Sequence, residues 1–276
     1  MRIVFKKLRV SVVVAAAILA LPAMSFGQSA ATMLPAESEA KGRELLQKAI
    51  AALGGQAYLN VKDLYRTGRL AQFASNGELS GFVKFEDYVK LPDKNRTEYA
   101  NKKNLMSVNN GDKGWELDRG GVIEQPEESI KRYLEGFKKD VDMLLRTRLG
   151  EEGLRIRYAG MDILDLKPAE WVEVTDRERR ITKIALNQAT LLPVRAVYIH
   201  RDPETRQRTE ETEYFSNYHT FSGIQTPKQI SRERNGRKVY QVFFDVCQYN
   251  INPSDFLFTR ESLDQRWAQL DKKKKK

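Results

Sequence analysis

The chain has 276 residues, with 47 Lys and Arg against 37 Asp and Glu, a formal charge of +10, one cysteine and two histidines. A core of ordinary size fits that length. The single Cys247 excludes an internal disulfide framework and any cysteine-rich metal site. Removing the four basic residues of 1–27 and the five lysines of 272–276 from the +10 leaves +1 for the body. A nucleic-acid surface needs a basic patch or stripe, so that reading is set aside.

Residues 1–9 are basic (Arg2, Lys6, Lys7, Arg9), and Val10–Leu21 is an apolar run of twelve that Pro22 breaks before the small residues Ala23, Ser25 and Gly27. That order predicts a signal peptide over residues 1–27, with Gly27 the preferred cleavage point and an uncleaved N-terminal anchor the alternative, and an exported, periplasmic protein. The run falls short of the ~20 residues a membrane-spanning helix needs. Residues 28–36 predict a flexible lead-in. A helix follows from about Ala36 to Leu53, with Leu45, Leu46, Ala49, Ile50 and Leu53 on one face, and Gly54-Gly55 stops it.

From Val61 the period shortens. Segments rich in Val, Tyr, Phe, Thr and Arg alternate with the turn signals Ser75-Asn76-Gly77, Pro92-Asp93, Asn110-Gly111-Asp112, Arg119-Gly120-Gly121, Asp202-Pro203 and Asn235-Gly236. About five strands precede residue 125 and about seven lie between 153 and 250. One long helix interrupts them. Pro126, Glu127 and Glu128 suit a helix start, and Ile130, Tyr133, Leu134, Phe137, Val141, Leu144, Leu145 and Leu149 follow at helical spacing until Gly150.

Along the strands apolar and polar positions alternate: Val83, Phe85 and Val89 share one face, as do Tyr240, Val242, Phe244 and Val246. An antiparallel sheet with one wet and one covered face fits this pattern. The fold class is therefore α+β and mostly antiparallel β: about 11–12 strands curved around a helical lid or plug, in a single domain over residues 37–260. Residues 261–276 form a C-terminal tail ending in the Lys run.

The chain has no HExxH, no paired CxxC, no phosphate-binding glycine loop and no GxSxG. His200 and His219 read as structural, Cys247 as a small buried hydrophobe, and Asn95-Arg96-Thr97 as a chance glycosylation sequon. No enzyme, cofactor or metal site is predicted. Lys272–Lys276 reads as a solvated run, or alternatively as a peripheral contact with anionic lipid headgroups.

Several short motifs in order carry a family resemblance: Leu91-Pro92-Asp93-Lys94-Asn95-Arg96-Thr97-Glu98, then Asn109-Asn110-Gly111-Asp112-Lys113-Gly114-Trp115, then Met143-Leu144-Leu145, Tyr249-Asn250-Ile251-Asn252 and Asp255-Phe256-Leu257-Phe258. Over roughly residues 40–260 the chain resembles the LolA/LolB superfamily of periplasmic lipoprotein-sorting and lipid-binding proteins. The resemblance implies an unclosed half-barrel lidded by helices, with an apolar interior for acyl chains. Leu91 stands where the family's carrier has an arginine, and no N-terminal cysteine is present for acylation, so the fold carries over better than lipoprotein sorting does. The expectation is a non-enzymatic carrier or sensor whose partner is a lipid or acylated lipoprotein. Its cavity would be lined by Val83, Phe85, Val89, Trp115, Phe137, Leu144, Val242 and Phe244. The alternative is a structural or interaction module with a self-filled core that meets an envelope protein.

Overall fold

The computed structural model describes residues 32–100, 105–201 and 206–274. The signal peptide, the start of the lead-in and the Asp202-Pro203 turn lie outside the described residues, as do the side chains of the lysine run.

Helix α1 (Pro35–Leu53) begins with proline at its first turn and ends on Gly54 at φ 133°, and the one-turn α2 (Gln56–Leu59) follows. Six strands come next: β1 (Asp63–Phe73), β2 (Leu79–Lys90), β3 (Lys94–Tyr99), β4 (Leu105–Asn110), β5 (Lys113–Leu117) and β6 (Val122–Glu124). Helices α3 (Glu127–Lys139) and α4 (Val141–Met143), the latter running on as a π turn over Leu144–Arg148, separate them from seven more. These are β7 (Arg155–Leu164), β8 (Lys167–Thr175), β9 (Ile181–Asn187), β10 (Pro193–Arg201), β11 (Arg208–Phe221), β12 (Ile224–Arg234) and β13 (Arg237–Tyr249). A 3₁₀ turn at Asp255–Phe258 leads into α5 (Arg260–Lys274).

All thirteen strands form one antiparallel sheet in the order β6-β5-β4-β3-β2-β1-β13-β12-β11-β10-β9-β8-β7. Two meanders meet along the β1–β13 pair, and β6 and β7 are left as edges, so the barrel is unclosed. The short β6 takes the count above the 11–12 expected. At the β7 edge Ser38 Oγ accepts from Tyr158 N at 3.1 Å and donates to Tyr158 O at 3.2 Å. Helix α1 thus covers backbone groups that an open edge would offer to another chain.

The seam between the meanders depends on Gly68. A β-carbon there would lie 2.2 Å from Phe243 O, and the register slips between Thr67 and Gly68, where Asp245 bulges from β13. The slip reverses the parity of the end of β13. Cys247 is buried and Val246 is 39% exposed, whereas strict alternation puts Val246 on the Phe244 face. Cys247 packs with Phe85 and Phe244 as a small hydrophobe.

The long helix expected over 126–149 is broken. Asp140 is extended (φ −66°, ψ 129°), and its side chain accepts from Met143 N at 2.9 Å. An aspartate that caps a new helical turn ends the old one, and the apolar spacing that continues across it hides the break. The C-terminal tail is likewise a helix. Leu263 is fully buried, and Trp267 and Leu270 follow it at helical spacing onto a cluster with Met106, Val108, Leu117 and Phe258.

The larger core lies in the concave half of β7–β10. There α1, through Leu45, Leu46, Ala49, Ile50 and Leu53, and the α4 segment, through Val141, Leu144 and Leu145, pack on Ile156, Tyr158, Val172, Ile184 and Tyr198.

Candidate binding site

The central strands are not filled in this way. Leu70 of β1, Phe85 of β2, Phe215 of β11, Ile230 of β12 and Val242 and Phe244 of β13 form one wall of a cavity of about 300 Å³. Phe85 and Phe244 meet edge to face with centroids 6.0 Å apart. A second cavity of about 410 Å³ adjoins it, bounded by Leu64, Val89, Leu91, Tyr133, Phe137 and Met143. The two share Arg66, Asp87, Thr97, Asp140, Asp142 and Arg232.

Helix α3 lies over the second cavity and has no fully buried residue. Tyr133 and Phe137 face it, in edge-to-face contact at 4.9 Å. A few polar contacts tie the helix down: Tyr133 Oη donates to Asp93 O at 3.1 Å, Arg180 donates to Glu135 at 3.0 Å, and Lys139 sits 3.5 Å from Glu211. Each partly exposed pair contributes about 0–1 kcal/mol, so the helix is a lightly held cover.

The interior is not the purely apolar one expected. Arg66 and Asp87 are directly opposed on β1 and β2, and Nη2 donates to Oδ2 at 2.5 Å. Asp87 also accepts from Asn95 Nδ2 at 2.6 Å and from Thr97 Oγ1 at 3.0 Å. The sequon is thereby committed to an inward hydrogen-bond network. On the opposite wall Arg232 Nε donates to Glu213 Oε1 at 2.9 Å, and Tyr198 Oη donates to Glu213 Oε2 at 3.1 Å. Both guanidinium groups also lie over rings, Arg66 over Phe244 at 4.9 Å and Arg232 over Tyr240 at 5.2 Å. These charges stand at inward positions of their strands, where strand periodicity leads one to expect apolar residues.

Two further acids come from the break after α3. Asp142 accepts from Tyr58 Oη at 2.8 Å and lies 3.6 Å from Arg146. Asp140 is an exposed residue whose surface opens onto both cavities. Removal from bulk water and the nearby Asp142 push its carboxyl up to about 6. Glu213 adds to the push, and the Met143 N–H and Arg66 oppose it.

Of the eight residues expected in the cavity, Phe85, Val242 and Phe244 line the first chamber, and Val89 and Phe137 the second. Val83 is buried further along β2, opposite Leu70. Leu144 is buried in the core under α1. Trp115 belongs elsewhere. It is opposite Val108, which is opposite Arg96, which is opposite Tyr88. That row lies on the other face of the sheet from Val89, and Trp115 packs into the cluster under α5. Sequence reasoning missed Arg66, Asp87, Asp140, Glu213 and Arg232. Arg66 and Asp87 could have been found as a charged pair facing each other across the Ser75-Asn76-Gly77 hairpin.

Among the described residues no group of His, Cys, Asp and Glu could hold a metal, and no helix is long and apolar enough to cross a membrane.

The unclosed half-barrel with lidding helices is a LolA-like fold. Solved structures share it, three of them as follows. A DUF1329 family protein from Desulfovibrio piger is 15% identical, with a TM-score of 0.59 over 80% of this chain and 98% of that one. A domain from Vibrio parahaemolyticus described as an outer membrane lipoprotein-sorting protein is 12% identical, with a TM-score of 0.56 over 82% and 99%. A LolA superfamily protein from Nitrosomonas europaea is 14% identical, with a TM-score of 0.51 over 80% and 99%. At these identities the likeness is one of fold. No family model matches the sequence, and no curated protein does.

Proposed function

We propose that the protein is a non-enzymatic carrier or sensor of the cell envelope, exported to the periplasm, that binds the acyl chain of a lipid or lipoprotein in its half-barrel. The observation that carries this reading is the pair of adjoining cavities on the central strands, the second of them under α3. Lifting α3 breaks a handful of polar contacts and exposes Tyr133 and Phe137. Burying an acyl chain returns about 0.8 kcal/mol per methylene, so a few methylenes offset those contacts. The extended backbone at Asp140 separates α3 from the firmly packed α4 segment and gives the cover its hinge. The described fold of the Vibrio parahaemolyticus domain supports this class of cargo.

The test is native mass spectrometry of the purified protein, with uptake of a fluorescent neutral acyl probe. Co-purified lipid or saturable uptake is expected. A protein that is always empty and takes up no probe would overturn the proposal and favour a self-contained interaction module.

A further inference from the structure

The chemistry where the two cavities join bears on the polar end of the cargo, an inference that rests on the acyl-binding reading above. Among the described residues four acids and four arginines line the two cavities. Their formal charges cancel, so neither a carboxylate nor an ammonium gains from charge alone. Arg66 holds Asp87, and Arg232 holds Glu213. Arg132 is exposed on α3 and faces Glu128 of its own helix at 3.6 Å. Asp140 accepts the Met143 N–H at 2.9 Å, and Asp142 accepts from Tyr58 Oη at 2.8 Å. Both of these acids are exposed, so water completes their hydrogen bonding.

Two donors are left unmet. Nε of Arg66 and Nε of Arg146 are buried without a hydrogen-bond partner. Arg66 has Asp87 for the rest of its guanidinium, whereas Arg146 has less. Its side chain is 3% exposed, it borders the second cavity, and its guanidinium lies over the Tyr58 ring at 4.1 Å. Asp142, its ion-pair partner, is 3.6 Å away, beyond hydrogen-bond reach. A guanidinium carries five N–H donors, and a buried donor without an acceptor is costly. An uncharged acceptor satisfies Arg146 without adding charge beside Asp140 and Asp142. Acyl cargo carries one, the carbonyl that joins its chain to the rest of the molecule.

We propose that the half-barrel recognises acyl chains by their ester or amide carbonyl, whose oxygen accepts from the Arg146 guanidinium. The chain then runs past Val89 and Phe137 towards the Phe85–Phe244 wall.

The experiment is displacement of a bound neutral acyl probe at pH 7.5, below micellar and solubility limits. The competitors are methyl dodecanoate, N-methyldodecanamide, dodecyl methyl ether, dodecanoate and dodecylammonium. The ether is the ester with its carbonyl replaced by a methylene, so it is the more apolar of the two and binds at least as well where no donor meets the carbonyl. The ester or the amide is expected to displace the probe at about fivefold lower concentration than the ether, the yield of one hydrogen bond, and ahead of both charged chains. Which of the two leads separates an ester-linked from an amide-linked source. Arg146→Met should bring the leading carbonyl compound level with the ether. Independently of that variant's folding, the infrared carbonyl band of bound methyl dodecanoate, labelled with carbon-13 at the carbonyl, should lie below its position in a hydrocarbon solvent. An ether level with or ahead of both carbonyl compounds, or a charged chain ahead of them, overturns the carbonyl proposal while the acyl-binding reading stands. An unshifted band, or an advantage that persists in folded Arg146→Met, overturns it equally. Failure of every compound, with no probe uptake at all, overturns both readings.

Discussion

Asp87→Ala probes the polar interior most directly. The carboxylate is 8% exposed and holds three donors, from Arg66, Asn95 and Thr97. Removing one partner of a fully buried pair costs about 3–5 kcal/mol. Arg66 is 30% exposed to the cavity, so water there relieves part of that penalty. Two further side-chain bonds are lost, at about 1 kcal/mol net each. The expected cost is about 3 kcal/mol, read as a lowered urea midpoint at unchanged slope. Arg66→Met should cost less, about 1.5 kcal/mol, because Asp87 keeps Asn95 and Thr97. The double variant Arg66→Met/Asp87→Ala leaves no unpaired charge and should cost about 2 kcal/mol, a coupling of roughly 2–3 kcal/mol in the cycle. Costs that simply add, to within about 0.5 kcal/mol, would refute the claim that the two charges hold each other inside the half-barrel.

Gly68→Ala should destabilise by about 1–3 kcal/mol, because its methyl group meets Phe243 O at 2.2 Å on the seam between the meanders; a midpoint within error of the parent would show that the seam can open freely. Phe244→Ala should weaken acyl-probe binding several-fold, whereas Trp115→Ala should not, because their side chains lie on opposite faces of the sheet; an equal loss in the two would contradict the observed register. Leu263→Ala should cost about 2–5 kcal/mol at unchanged probe affinity, since α5 covers the face away from the cavities. Asp140 titrates at about 6 in the folded chain against about 3.9 when unfolded. The folded state therefore binds the proton more tightly, and this group's contribution to stability falls as pH rises from about 4 to 6, then levels. Asp140→Asn, freed of the repulsion from Asp142 and Glu213 but also of the opposing attraction to Arg66, should gain on the parent across that window in urea midpoints. A gain that instead grew below pH 4 would have the sign wrong.

Much of the fold was legible because its local signals agree. The hairpin at Asn235-Gly236 forms where both turn residues take positive φ, and the one after Asn110 turns on Gly111 at φ 60°, each between alternating runs. The face of α1 and its glycine stop read directly from spacing. Three features were hidden. The break at Asp140 lies inside an unbroken apolar spacing. The bulge at Asp245 needs both strands, since it arises from what Gly68 allows its partner backbone to do. The face of Trp115 depends on counting register through four paired strands, so an aromatic on a hairpin could be placed only after the pairing was known. The charged interior was hidden differently. Each charge is ordinary in its own strand, and only cross-strand pairing shows that Arg66 has Asp87 and Arg232 has Glu213.

The position of the cavity follows from where the helices leave the chain. Helix α1 precedes the first meander and packs on the far edge of the second, at β7 and β8, while the α4 segment enters β7 directly. Both therefore fill the concave surface of β7–β10. Helix α5 follows β13, crosses to the outer face and stabilises β3–β6 from there. The seam strands β1, β2, β12 and β13 are left facing inward with only the end of α1, the start of the α4 segment and α3 near them, and α3 buries none of its residues completely. A sheet too wide for its helices must either close, collapse or keep a chamber at its centre. The two ion pairs at the seam work against collapse, because each guanidinium and carboxylate is stable inward only with its partner and some access to water. Filling that chamber from within, for example by Val242→Trp, should raise the urea midpoint while abolishing probe uptake. A variant that was stabilised yet still bound the probe would place the acyl chain elsewhere on the protein.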